Sequence, residues 1–304
     1  MIVKKEKTEA LADAAERAQM QGSSLWDDAW RRFRKNRAAV YSVTILVLIT
    51  LFVIFAPMLT HYAYDFNDWD ALSAPPSARH FLGTDSLGRD LLSRAAVGGR
   101  ISLLVGLSGA LVAVVIGTLY GALAGFFGGK IDSLMMRFLE ILNAFPFMLF
   151  VILLTTFFGR SLILIFAAVG LVSWLDVARI VRGQTLSLKH KEFVEAARVS
   201  GMSRRRIVVR HIIPNVASLL IIDACLGVVG AILGETALSY FGLGIQAPNV
   251  SLGSLLQDGQ AAAVTSPWLF VFPALFLVLL LSSVNLLGDA LRDAIDPTSE
   301  VNRA

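Results

Sequence analysis

Long apolar runs separated by short polar segments dominate the chain. The first covers residues 38–60, and five more follow over 101–124, 134–158, 162–180, 216–238 and 268–287. Each is close to the roughly 20 residues that an α-helix needs to cross about 30 Å of hydrocarbon. The pattern predicts an all-α membrane protein with six transmembrane helices, which puts both termini on one side of the bilayer. The first run is too long for the apolar stretch of a signal peptide, and a polar tail carrying acids precedes it. It is read as a span that stays.

The polar segments divide the chain further. Residues 1–37 form a tail, 38–60 the first span, 61–100 an outer loop containing Pro75 and Pro76, 101–290 a five-helix core, and 291–304 a second tail. Within the first tail, residues 8–21 are Ala-rich and helix-prone without a broad apolar stripe. Ser24 can then cap a helix that sets Leu25, Trp26, Ala29, Trp30 and Phe33 on one face. Arg31, Arg32, Arg34, Lys35 and Arg37 follow or face away, as in a helix lying among headgroups. Lysine and arginine set orientation. They crowd the first tail and the segment 179–210, whereas 242–267 has neither. Arg79, Arg89, Arg94 and Arg100 run against this asymmetry, accompanied by Asp85 and Asp90. Cytosolic termini are the expectation. In the second span Gly109, Ala113, Gly117, Gly121 and Gly125 recur every four residues on one face. Such a stripe admits another helix backbone to backbone; its alternative role is a smooth wall beside a translocation path.

Composition agrees with the pattern: 56% of residues are hydrophobic, 16% charged, and mean hydropathy is +0.67. About a quarter of a soluble domain is charged. The net charge of +4 lies beside apolar runs, where it orients spans, so nucleic acid is not expected as a partner. Cys225 is the single cysteine, which permits no intrachain disulfide. Gly128-Gly129-Lys130 comes nearest to a phosphate-binding loop, but Ala124 stands where the first glycine belongs and Ile131 where the hydroxyl belongs. His61, His80, His190 and His211 are scattered. No catalytic constellation, metal site or cofactor is read from the chain, which is therefore expected not to be an enzyme. Glu140, Asp223 and Glu235 lie within spans, and intramembrane carboxylates are functional candidates. Glu140 and Glu235 sit nearer span ends, and Asp223 some 10 Å deep at 1.5 Å per residue. Asp223 and Glu235 are candidates for a translocation path. A transporter driven by protons or sodium is the competing class, resting mainly on Asp223.

The segment 185–214 is the most informative. Residues 192–199 favour a short helix that Gly201 can end in a left-handed cap. Ser203 can cap a second helix, and Pro214 suits the start of the next span but not its interior. The result is a helix-turn-helix bracket at the membrane face. Ala196 and Ala197 make one side of it flat and small, suited to close docking, with Glu195 and arginines around it.

Glu195-Ala196-Ala197, then Gly201, then His211-Ile212-Ile213-Pro214 resembles the coupling loop of permease subunits in bacterial ATP-binding-cassette (ABC) importers. His211 stands where Ile is usual and Ile213 where Leu is usual. Leu82-Gly-Thr-Asp85-Ser-Leu-Gly88-Arg89-Asp90 resembles the outer loop of the peptide and nickel branch. Asn285-Leu-Leu-Gly288-Asp289 through Asp296-Pro297 resembles its C-terminal signature, with Ala290 in place of glycine. The stretches 24–33 and 173–183 look like the C-type permeases of oligopeptide importers in Gram-negative bacteria. The resemblance implies the type I importer permease fold and an inner-membrane location. It assigns Glu195, Ala196, Ala197, Gly201, His211, Ile213 and Pro214 to contact with an ATPase. The implied partners are a homologous sister permease, two ABC ATPases that hydrolyse ATP, a periplasmic peptide-binding protein, the peptide and the lipid bilayer. Dipeptides, glutathione or nickel are alternative cargoes within the branch.

Overall fold

The computed structural model describes residues 25–158 and 161–295; the expected helix at 8–21 and the last residues of the C-terminal tail lie outside them. Among the described residues every regular element is helical. They are α1 (Leu25–Lys35), α2 (Arg37–Leu59), α3 (Leu91–Phe127), α4 (Gly129–Ala144), α5 (Phe147–Phe158) and α6 (Leu162–Leu188). Then come α7 (Glu192–Val199), α8 (Arg204–Ile207), α9 (Ile213–Tyr240), α10 (Leu252–Ala261) and α11 (Trp268–Ile295). Among the described residues five helices are long and apolar enough to cross a membrane, and a sixth span arises when α4 and α5 count as one. That pair bends by 77°. The span expected over 134–158 is thus bent rather than straight. Pro146 disfavours helical backbone at the residue before it, and Phe145 is extended at φ −77° and ψ 125°.

Asn36 separates α1 from α2 and caps the latter, its side-chain oxygen accepting from the Ala38 amide at 2.9 Å. Trp30 stacks on Phe33 within α1, and α1 packs beside α11. The helix α3 begins ten residues before the expected start at Ile101, so the outer loop ends at Asp90 rather than Arg100. At 1.5 Å per residue α3 spans about 55 Å, well beyond the hydrocarbon. Hydropathy ends the run at the arginines, yet both are accommodated within the helix. Arg94 is only 4% exposed and reaches Asp258 at 3.1 Å and Asp85 at 3.6 Å. Arg100 donates to the Val53 carbonyl at 2.8 Å.

The outer segment before α3 is an ordered cap. His80 is buried between two aspartates, its Nδ1 3.0 Å from Asp90 and its Nε2 3.4 Å from Asp68. Asp90 also caps α3 through the Ser93 amide at 2.9 Å. Asp85 accepts from the amides of Leu87 and Arg89 and from the Arg89 guanidinium. Gly88 turns with φ +74°, and a Cβ there would collide with the Asp68 backbone. Burial acts to raise the Asp68 carboxyl, but the Asp70 amide, His80 and Arg79 outweigh it and hold it below the ordinary range.

Helix α3 lies at the centre, against α6, α9 and α2. Its small-residue stripe meets α6 and α9 directly. A Cβ on Gly117 would lie 2.8 Å from the Trp174 carbonyl oxygen, and one on Gly125 2.8 Å from that of Arg182. At Gly121 it would overlap the Ala178 carbonyl outright. Packing therefore accounts for these glycines. The last glycine-bearing turns are fixed further by Lys189, which donates to the Gly125 carbonyl at 3.0 Å. Arg182 of α6 forms a bidentate pair with Asp132 of α4 at 2.6 and 2.7 Å.

This contact predicts that Gly121→Ala loses about 1–3 kcal/mol through overpacking, read as earlier thermal unfolding of the purified protein. Gly183→Ala, on the open side of α6 where an added Cβ meets nothing within 4 Å, should leave the unfolding temperature unchanged or slightly raised.

Candidate coupling bracket and transport cavity

The bracket is built from backbone rules. Helix α7 starts after Lys191, carries Glu192 and Glu195 in its first turn, and ends at Ser200. Gly201 takes φ +76°. Its amide bonds to the Arg198 carbonyl at 3.1 Å and that of Met202 to the Ala197 carbonyl at 3.1 Å. This is the paired Schellman closure, which needs the left-handed residue that glycine adopts freely. Ser203 sits at the next N-cap in extended conformation but makes no side-chain cap bond, contrary to expectation. The Ile207 amide instead reaches its carbonyl at 3.0 Å.

Beyond the turn, α8 passes into α9 through one π-helical stretch, Val208–Ile212. A proline has no amide hydrogen and its ring clashes with the carbonyl four residues earlier. The wider π turn ahead of Pro214 accommodates both defects. The second arm of the bracket is therefore the beginning of one continuous helix over 204–240.

Packing separates the two alanines. Ala196 is exposed, whereas Ala197 is 8% exposed and lies in a cluster with Val194, Ile207, Val208 and Ile212. Leu175, Ala178 and Val181 of α6 belong to the same cluster. The expectation of one flat docking side bearing both alanines is corrected: on a helix, adjacent residues do not share a face. The outward surface consists of Glu192, Phe193, Glu195, Ala196 and Val199, the last 89% exposed. The Phe193 and His211 rings approach to 6.3 Å. His211 Nε2 is buried without a hydrogen-bond partner among the described residues. Ile213 is half-buried against the same cluster.

Deeper along α9, a cavity of about 450 Å3 opens between α3, α5, α6 and α9. Phe147, Ser173, Asp176, Asp223, Gly227 and Gly230 are among its lining residues. Asp223, singled out for its depth in the sequence, faces this space half-buried. Asp176 lines the same cavity and accepts from Arg179 at 2.7 Å. It was missed although it lies inside the expected fourth span, so the reasoning that found Asp223 applied to it equally.

Glu235 does not line the cavity, although the adjacent Gly234 does. It is fully buried rather than near water at a span end. Ser102 of α3 donates to it at 3.2 Å and Ser239 at 2.6 Å. Each hydroxyl in turn accepts an amide, Leu252 on Ser102 and Ile245 on Ser239. The carboxylate thus ties α10 and the segment before it to α3 and α9. Helix α10 is absent from the sequence expectation. The signal was Ser251, which forms a reciprocal capping box with Ser254. Glu140 is exposed and pairs with Arg137 at 2.9 Å.

Residues 117–300 match the family described as the binding-protein-dependent transport system inner membrane component. The chain belongs to this family. Residues 24–76 match the N-terminal transmembrane domain of oligopeptide transport permease C. The chain is similar to the oligopeptide transport system permease protein OppC of Escherichia coli strain K12, at 59% identity over 98% of this chain and 99% of that protein. The OppC proteins of Haemophilus influenzae and Bacillus subtilis are 57% and 42% identical, each over 95% of this chain and 94% of the relative. It is a multi-pass membrane permease.

Removing the Glu235 side chain tests its structural place. Glu235→Leu leaves two buried hydroxyls without an acceptor, at about 1–3 kcal/mol for each unsatisfied group. Glu235→Gln keeps an acceptor oxygen and should unfold closer to the wild type. Equal melting of Glu235→Leu and wild type would remove the carboxylate from this network.

Proposed function

We propose that this chain is a transmembrane permease subunit of an ABC importer that carries oligopeptides inward by ATP-driven alternating access. The observation that carries the reading is the bracket. Its outward face, Glu195 and Ala196 foremost, is available for docking, while Ala197 anchors the same helix to α6 and α9. An ATPase groove closing on α7 would pull on α6 and α9, two of the four helices that wall the cavity. Gly201, Ile213 and Pro214 shape the bracket, and His211 backs Phe193. Asp223, with Asp176, belongs to the path. The relatives' names support oligopeptides as cargo.

The partners in this reading are a homologous sister permease, two ABC ATPases that hydrolyse the ATP, and a periplasmic peptide-binding protein. The permease itself carries no catalysis. Alternating access requires two arrangements of similar energy that ligands bias; ATP would favour the outward one and hydrolysis return it. The bracket and both termini face the cytosol of a bacterial inner membrane, on the strength of the Lys and Arg asymmetry.

Orientation is tested in a Cys225→Ser background. Val199→Cys should resist an impermeant thiol reagent in intact cells, whereas Val264→Cys, at a position 98% exposed on the opposite side, should react. The reverse pattern contradicts the orientation.

Coupling is tested in reconstituted complexes. Ala196→Glu adds volume and charge to the docking face without entering the core. Gly201→Asp puts a side chain on a left-handed residue. Both should leave the permease in the membrane while peptide uptake falls sharply and the ATPases copurify poorly or stop responding to loaded binding protein. Normal uptake by both variants would contradict the assignment. Uptake driven by a proton gradient in ATP-free vesicles would favour ion coupling instead.

A further inference from the structure

A second cavity, about 500 Å3, lies between the bracket and the end of α3. It is lined by Phe126 and Phe127 at the end of α3, by Met202 and Ser203 in the turn, and by Arg198 and Arg204. The two phenylalanines meet edge to face at 6.0 Å, and Phe127 is well exposed despite its apolar ring. Among the described residues neither Arg198 nor Arg204 has a carboxylate partner, although Glu195 is three residues from Arg198. The position of the cavity explains the mixture. Helix α3, long and apolar enough to cross a membrane, ends at Phe127, so its last aromatic rings and the guanidiniums of the bracket line one space.

We infer that this cavity binds an anionic phospholipid of the inner leaflet, its phosphate between Arg198 and Arg204 and the upper part of its acyl chains against Phe126 and Phe127. Guanidinium is suited to phosphate by its planar donors. An anionic leaflet attracts basic groups at its surface, and basic pockets between membrane helices on that side select such headgroups. An apolar wall beside the arginines distinguishes a lipid from free phosphate, which would gain nothing from the rings. The occupant would touch both the end of α3 and the turn at Met202, and so would brace the bracket against the membrane. The inference rests on the cytosolic orientation proposed above, and the thiol labelling decides that point separately.

The test uses the full-length chain purified in detergent and native mass spectrometry, with phosphatidylglycerol or phosphatidylcholine of identical acyl chains. The wild type should retain phosphatidylglycerol with about tenfold preference or more. Arg198→Gln combined with Arg204→Gln should erase the preference, and the corresponding pair of lysines should keep much of it. Arg137→Gln, at an exposed arginine that pairs with Glu140 outside this cavity, should leave it intact. Phe127→Ser should weaken the lipid without altering any effect of inorganic phosphate. Equal retention of both lipids, or an unchanged preference in the double glutamine variant, would overturn the site. Complete displacement by millimolar phosphate with no effect of Phe127→Ser would identify a free-anion site and overturn the lipid.

Discussion

In hydrocarbon, an apolar side chain gains little by leaving lipid for another apolar side chain, so helices associate through close packing of backbones. The contact of α3 with α6 is made this way. Gly117, Gly121 and Gly125 remove every Cβ that would hold the helices apart, and carbonyls of Trp174, Ala178 and Arg182 occupy that space. The arrangement leaves no freedom for the rest. Once α3 and α6 are aligned, α9 packs across both, and the cavity is the gap left where side chains are too small to fill it.

The same contact extends to the membrane surface. Ala113 and Val177 line the cavity and belong to one continuous apolar cluster with Val194, Ala197, Ile207 and Ile212. Close-packed interiors transmit displacement rather than absorbing it. The short helix α7 is therefore not a loose loop between two spans but an extension of the packed core. On the opposite surface the network around Glu235 and the Arg94 pairs with Asp85 and Asp258 hold the outer elements to the other end of α3. One long helix thereby connects both faces of the molecule.

Much of this was legible in the sequence. Apolar runs placed the spans to within a few residues where no charge interrupted them, as in α2 and the start of α11, whose end runs eight residues past the expected 287 through Asp289 and Arg292. The Gly201 turn followed from its position between two helical stretches and was found as expected. Failures share a cause: the reading was one-dimensional. Arg94 and Arg100 looked like loop residues because their partners, Asp258 and the Val53 carbonyl, are remote in sequence. Glu235 looked like a path residue because nothing local announced Ser102. Ala197 was paired with Ala196 by adjacency, although 100° around a helix separates neighbours. The bend at Phe145 was readable from Pro146, and Asp176 from its apolar surroundings.

The central claim is that the outward face of α7 meets the ATP-hydrolysing partner. A photoreactive phenylalanine analogue at Ala196 reads this contact directly in the assembled, membrane-embedded complex. The account predicts an adduct between this chain and an ATPase subunit, with none from the same analogue at Val264. No ATPase adduct from Ala196, or equal capture from both positions, would contradict it.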